Sequence, residues 1–426
     1  MRVDADDFAR PCSCGKEHHI DVKEILIEPG AVQKLEEMMA EGDLKEYISP
    51  LVICDTNTFA ATEEIMEDIY DRCQVITLDA EDLHADTYAV EIIQSNMEED
   101  IDLILAVGAG TIHDLSRYVA SQQGVPFVSV PTAASVDGFV STVAAMNLDG
   151  LKKTVPAAAP VCVIADTDIF AKAPVRLTAS GASDLLGKYI CLADWKIAEL
   201  VTGEYFCKNV YKLEKKALKE VKACLKGIGE QDESDMEELM YALILSGLAM
   251  QMVGSSRPAS CAEHHMSRLW EMEVLNDKLD ALHGEKVGIG MLLCLREYKR
   301  IGEAISQGRC QVKEYGGMEE ELLRETFGAK GVLDGIRAEN TPDPLEEIAP
   351  EVLEECLPQI AEIIEELPDP EEMEELMEKS GCVTKLEQIG LKEEIVPLTM
   401  RLSPYVRRRL SLMRLRKMLL IDGKEL

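Results

Sequence analysis

The feature that most constrains the fold is a series of short apolar runs, alternating with helix-like stretches, across the first third of the chain. "PLVICDTNTF", "CQVITLDA", "IDLILAVGAG", "VPFVSVPTAASVDG" and "PVCVIADTDIF" each read as a buried strand, and segments such as "TIHDLSRYVASQQ" between them read as helices. Strands that alternate with helices at this spacing pair in parallel, with helices covering the sheet. Such sheets bind ligands at the carboxyl ends of their strands.

Beyond about Thr167 the pattern changes. No convincing strand follows, and helical patterns dominate, from "ASDLLGKYICLADWKIAEL" to the acidic "LEEIAPEVLEECLPQIAEIIEELPDPEEMEELMEKSG". The tail "RLSPYVRRRLSLMRLRKMLLIDGKEL" is basic and amphipathic and reads as a helix packed on the acidic region. A chain of 426 residues exceeds what one hydrophobic core usually serves. The expected architecture is α/β plus all-α: a Rossmann-like parallel-sheet domain over 1–166 that binds a dinucleotide, an all-helical domain over 167–426, and a cleft between them.

A formal net charge of −35 argues against nucleic acid as a partner, because phosphates would be repelled. An anionic small substrate needs only a locally positive pocket. The thirteen cysteines are scattered rather than framed, and "MRVDADDFAR" has no signal-peptide character. Reduced thiols in the cytoplasm are expected. No apolar run approaches the roughly 20 residues of a membrane span. The sequence does not set the oligomeric state, and a homodimer would be in keeping with it.

In "AVGAGTIHDLSRYVA", Gly108 and Gly110 stand where a buried strand meets a helix. Glycine admits close approach of a pyrophosphate, and the helix start offers unpaired N–H groups. The sixth position of the dinucleotide fingerprint is His113, so the motif is incomplete and a plain tight turn is the competing reading. "SVPTAASVDGFVS" adds Thr132, Ser135, Asp137 and Ser141 after the next strand, small polar residues suited to a phosphate or carboxamide and equally ordinary in a loop. Asp55, at the end of an earlier strand, suits a ribose or a helix cap.

Two of the seven histidines, His264 and His265, are adjacent, and neighbours on a helix point about 100° apart. Only one of them can face a given target. His283 follows nineteen residues after His264, and Asp184 lies in "ASGASDLLGK". One carboxylate and two imidazoles would leave an open position on a catalytic ion. The spacing is no short metal motif, and buried histidines are more often core residues than ligands. "CSCGKEHHI" offers Cys12, Cys14, His18 and His19 as a small metal site, although a structural cap or arm is the preferred reading.

The ordered set "GAGTIHDLSRY", "SVPTAASVDGF", "ASGASDLLGK", "GSSRPASCAEHH" and "LHGEKVGIG" resembles the sn-glycerol-1-phosphate dehydrogenases, in particular their bacterial branch. That family sits among the metal-dependent polyol dehydrogenases and the dehydroquinate synthase-like folds. The resemblance implies NAD- or NADP-dependent interconversion of glycerone phosphate and sn-glycerol 1-phosphate. It also implies one divalent ion, zinc or nickel or else iron, on Asp184, His264 and His283, which are then the catalytic residues. Cofactor contacts would come from Asp55, Gly108, Gly110, Thr111, Ile112, His113, Asp114, Thr132, Ala133, Ala134, Ser135 and Ser141. Asp137 and Asp184 would touch the substrate, a small phosphorylated three-carbon compound.

The chain departs from many relatives four residues after the metal histidine, where they carry another histidine and this sequence has Arg268. Arg268 shares a helix face with His264 and suits a phosphate, but it is a poor proton shuttle. Arg257 and Lys286 are further candidate phosphate grips. The competing functions are a dehydroquinate synthase-like lyase, a glycerol or alcohol dehydrogenase, and a non-catalytic NAD sensor. An acidic Asp55 beside the ribose would disfavour NADP.

Overall fold

The computed structural model describes residues 2–4, 8, 11–148, 151–230 and 232–426, so most of the opening "MRVDADDFAR" lies outside the described residues. The chain divides into two compact units. One comprises 1–182 with 219–255, and the other 183–218 with 256–426.

The first unit is built on a seven-stranded sheet. Its strands are β1 (Arg2–Asp4), β2 (Glu24–Glu28), β3 (Pro50–Asp55), β4 (Gln74–Leu78), β5 (Leu103–Gly108), β6 (Phe127–Pro131) and β9 (Cys162–Asp166). They lie in the order β1-β2-β9-β6-β5-β3-β4, and every pair is parallel except the antiparallel edge β1–β2. The apolar runs alternate faces, as a strand's two-residue period requires. Leu103, Leu105 and Val107 face one core with Val52, Cys54 and Val128, while Ile104 and Ala106 face another with Ile53, Ile112 and Leu115. A sheet buried on both faces needs such unbroken apolar runs.

The chain order reverses between β3 and β5, since β4 lies outside β3 and β6 lies beyond β5. That switch point is where a doubly wound sheet opens a crevice at its carboxyl edge. Asp55 ends β3 and Gly108 ends β5, so two candidate cofactor residues flank it.

A hairpin not expected from the sequence, β7 (Val143–Leu148) and β8 (Leu151–Pro156), is inserted before β9. The helix Glu233–Val253 also belongs to this unit. It is long and apolar enough to cross a membrane by length and composition alone, but 67% of its most apolar stretch is buried in the protein, as in a core helix.

The second unit is helical around His283–Ser306, which packs against Ala262–Glu271 and Pro350–Glu365. Gly302 permits the second contact, because a Cβ there would come within 2.8 Å of Ile364. Two expectations fail here. A small antiparallel sheet forms from β10 (Cys310–Val312), β11 (Leu419–Ile421) and β12 (Lys424–Glu425). The basic tail is not one helix: Val396–Leu402, a 3-10 turn at Ser403–Val406 and Leu412–Leu415 are separate pieces leading into β11. Pro404 cannot donate in a helix interior, and Arg414 turns inward to bind the Pro404 carbonyl, Asn340 and Asp343.

Candidate active site

In the first unit, the helix Gly110–Gln123 starts directly after β5 with Ala109 at its cap position and no capping side chain. Its first N–H groups are therefore left to a ligand or to water. Gly108 allows the tight entry, since a Cβ would lie 2.5 Å from the Ile112 Cβ. Ile112 is buried and packs this turn, while Thr111 and Asp114 remain partly exposed. Asp114 sits 3.9 Å from Arg117.

His113 is buried. Its ring meets the Ala109 carbonyl at 3.0 Å through Nδ1 and the Ser129 hydroxyl at 2.7 Å through Nε2. Nδ1 must donate to the carbonyl, so Nε2 accepts from Ser129. Burial pushes the imidazole down to about 3, leaving it neutral. It braces helix against strand.

The loop after β6 runs beside this turn, with Thr132 N–H bonded to the Gly108 carbonyl at 3.0 Å. Ala133 and Ala134 are buried, and the backbone of the helix Val175–Leu186 comes so close that a Cβ on Gly181 would lie 2.1 Å from the Ala134 carbonyl oxygen. The Ser135 hydroxyl is buried without a hydrogen-bond partner, although buried polar groups are normally paired. An uncapped helix start, two glycines and an orphaned hydroxyl at the switch point fit a dinucleotide.

Other candidates have structural partners. Asp55 caps the following helix, its Oδ1 accepting from Asn57 and Thr58 N–H at 2.9 Å each. The Ser141 hydroxyl bonds with Val143 N–H and carbonyl at 3.0 Å. Asp137 accepts from the Ser246 hydroxyl at 3.0 Å. Sequence reasoning missed Arg117, a buried guanidinium bonded to the carbonyls of Gly138, Phe139, Ser141 and Val143. It fixes the loop that carries Asp137 and Ser141; only its place one helical turn beyond His113 hinted at an inward face.

In the second unit, Asp184, His264 and His283 come together, each offering one ligand atom within 4.8 Å of the others. His264 Nε2 is 3.5 Å from Asp184 Oδ1, close to the roughly 3.3 Å edge of a tetrahedron with oxygen and nitrogen ligands. Its other nitrogen, Nδ1, is 2.7 Å from Glu263 Oε1, so Nδ1 donates to that carboxylate and Nε2 is the atom turned toward Asp184. Orienting a ligand histidine through a carboxylate is what a metal site requires. The donor set therefore fits a divalent ion.

Burial pulls the His264 imidazole down, but Asp184 and Glu263 more than offset it and hold it above its ordinary value. Burial would raise Asp184, yet Lys188 first, then the two histidines, keep it well below the usual carboxylate range. Lys188, fully buried, places Nζ 2.9 Å from Asp184 Oδ1 and 3.1 Å from its carbonyl. Glu263 and Lys188 were both unforeseen, although the four-residue spacing from Asp184 to Lys188 was visible.

His265 is the structural member of the pair. It is buried with neither ring nitrogen partnered, and burial plus Arg409, Arg268, Arg414 and Arg257 keep its value well below the ordinary one. Glycines allow the helices to close around the triad: a Cβ on Gly187 would meet Val287 at 2.7 Å, and one on Gly290 the Glu263 carbonyl oxygen at 2.7 Å.

The three basic candidates separate. Arg257 is held by Glu204 at 2.6 Å, and Lys286 by Glu271 at 2.9 Å. For Arg268, no carboxylate among the described residues lies within ion-pair distance. Burial, with Arg407 and Arg409 adding like charge, pushes it down to about 10, so it stays cationic at neutral pH.

A family model described as iron-containing alcohol dehydrogenase matches residues 26–174. The chain is 33% identical over 398 residues to glycerol-1-phosphate dehydrogenase (NAD(P)+) of Geobacillus thermodenitrificans, covering 91% of each chain. It is 32% identical over 403 residues to the protein of the same name from Geobacillus stearothermophilus, covering 92% of each. Among solved structures, a probable glycerol dehydrogenase from Sinorhizobium meliloti superposes with a TM-score of 0.60 at 18% identity, over 93% of this chain and 92% of that one. With sequence identity of this level across nearly the whole length, the chain belongs to the glycerol-1-phosphate dehydrogenase (NAD(P)+) family of oxidoreductases.

Proposed function

We propose that the protein interconverts sn-glycerol 1-phosphate and glycerone phosphate, taking hydride onto or from NAD(P), with a divalent ion on Asp184, His264 and His283. The observation that carries this is the convergence of those three side chains, with His264 oriented by Glu263. Zinc and nickel suit such nitrogen and oxygen donors, and iron does too. When bound, the ion supplies a Lewis acid for the C2 oxygen of the substrate.

The chain's own residues do the rest. The uncapped helix start at Gly110 and Thr111 receives the pyrophosphate, and the Thr132–Ser135 loop, with the Ser135 hydroxyl, holds the cofactor beside it. Asp55, Asp114 and Ser141 border that site. Asp137 and Asp184 orient the substrate hydroxyls. Arg268 grips the phosphate by charge-assisted bonds, and as a permanent cation it takes no part in moving the proton. Thirteen cysteines without a disulfide suit a cytoplasmic enzyme.

The test is NADH and NADPH oxidation with glycerone phosphate beside unphosphorylated dihydroxyacetone, with zinc or nickel added and again after chelation. Metal-dependent turnover of the phosphate ester alone is the expected result. Cofactor binding with no turnover of either ketone would overturn the proposal.

A further inference from the structure

We propose that Cys12, Cys14 and His18 form a second metal site, for zinc or another thiophilic divalent ion, that fastens the irregular segment ahead of β2 to the end of the helix Glu233–Val253. The ligand atoms of these three residues lie within 4.8 Å of one another. Cys14 Sγ is 3.5 Å from His18 Nε2. Zn–S and Zn–N bonds of ordinary length at a tetrahedral angle give a sulfur–nitrogen edge of about 3.6 Å.

The local chain is shaped for the purpose. Cys12 and Cys14 sit on a turn closed by Gly15 N–H donating to the Cys12 carbonyl at 3.2 Å, and Gly15 takes a φ of 81°, which a side chain would resist. His18 is only 4% exposed. Its Nδ1 is 2.5 Å from the Met252 carbonyl, to which it must donate, so Nε2 presents its lone pair toward Cys14. That tautomer is the one a metal needs, fixed by the same kind of outer partner that serves His264. His19 is exposed and takes no part.

The segment 11–23 has no helix or strand of its own. Beyond the His18 contact, Asp21 N–H donates to the Gln251 side chain and Lys23 N–H to the Val161 carbonyl, at 2.9 Å each. An ion bound to two thiolates and one imidazole would cross-link it where backbone ladders do not. The donors also separate the two sites chemically: sulfur-rich here, oxygen and nitrogen only at Asp184.

The experiment uses the full chain, reconstituted with zinc or cobalt, desalted, and assayed for metal by mass spectrometry and for thiolate-to-cobalt charge transfer by absorption. Wild type should hold two ions per chain and show the thiolate band. Asp184→Ala should keep that band and lose one ion, while Cys14→Ser should lose the band and one ion yet retain dehydrogenase turnover. A single ion in wild type with no thiolate band would overturn the proposal, and that measurement needs no variant to fold. So would a band that survives in Cys14→Ser and in Cys12→Ser alike. Because turnover is read separately, failure of this site leaves the dehydrogenase assignment untouched.

Discussion

Replacing Glu263 by glutamine tests whether the carboxylate behind His264 is part of the metal site. Glu263 Oε1 accepts from His264 Nδ1 at 2.7 Å and from Cys261 N–H at 2.9 Å, and the side chain is fully buried. Glutamine preserves the shape and an acceptor but removes the charge. Hydrogen bonds to a charged group contribute about 1.5–3 kcal/mol against about 0.5–1.5 for neutral ones, so the loss should be roughly 1–2 kcal/mol. At 1.4 kcal/mol per decade, zinc or nickel affinity should fall about 5- to 30-fold, overlapping the lower part of the roughly 10- to 100-fold range seen when outer partners of metal ligands are removed. Chelator competition on the full chain gives that affinity directly, and NADH titration should be unaffected because the cofactor residues are untouched. An unchanged chelator midpoint would refute the reasoning and reduce Glu263 to a buried acid that merely packs.

Gly181→Ala should displace the Thr132–Ser135 loop, since the new Cβ would sit 2.1 Å from a backbone oxygen; fluorescence titration should show weaker NAD(P)H binding, with about 1–3 kcal/mol of stability lost to overpacking. Arg268→Met should raise KM for glycerone phosphate roughly 10- to 100-fold, for the loss of a charge-assisted grip, and leave dihydroxyacetone reduction unchanged; parallel losses on both ketones would count against a phosphate role. His113 has a folded value of about 3 against an ordinary 6.5, so the unfolded chain takes up a proton that the folded chain refuses as pH falls through this window. Stability should therefore decline toward acid by about 1.4 kcal/mol per pH unit from this residue alone. His113→Asn should flatten that part of the stability curve, and curves of equal slope would contradict it.

The parallel sheet was legible because its central strands bury both faces and so write their residues as unbroken apolar runs, "LILAVG" in β5 being the clearest. The hairpin β7–β8 was not, because "VAAMNL" and "LKKTVP" alternate weakly; the Asp-Gly pair between them, at 149–150, was the one local turn signal. The β10–β11 pairing was invisible for another reason: its strands are three residues long and more than a hundred residues apart. For the site, the ligand triad followed from a resemblance spread over the chain rather than from local spacing. Buried cations such as Arg117 and Lys188 escaped because charge alone assigns them to the surface, and only the partners brought in by the fold make them affordable.

Lys188 has a consequence for how the enzyme acquires its metal. With its ammonium against Asp184 and both side chains buried, the carboxylate already has a positive neighbour before any ion arrives. A buried carboxylate paired in this way is compensated without a metal, so the fold around it would not depend on an ion. Metal removal should then leave the folded chain intact, with the ammonium still holding the carboxylate in place.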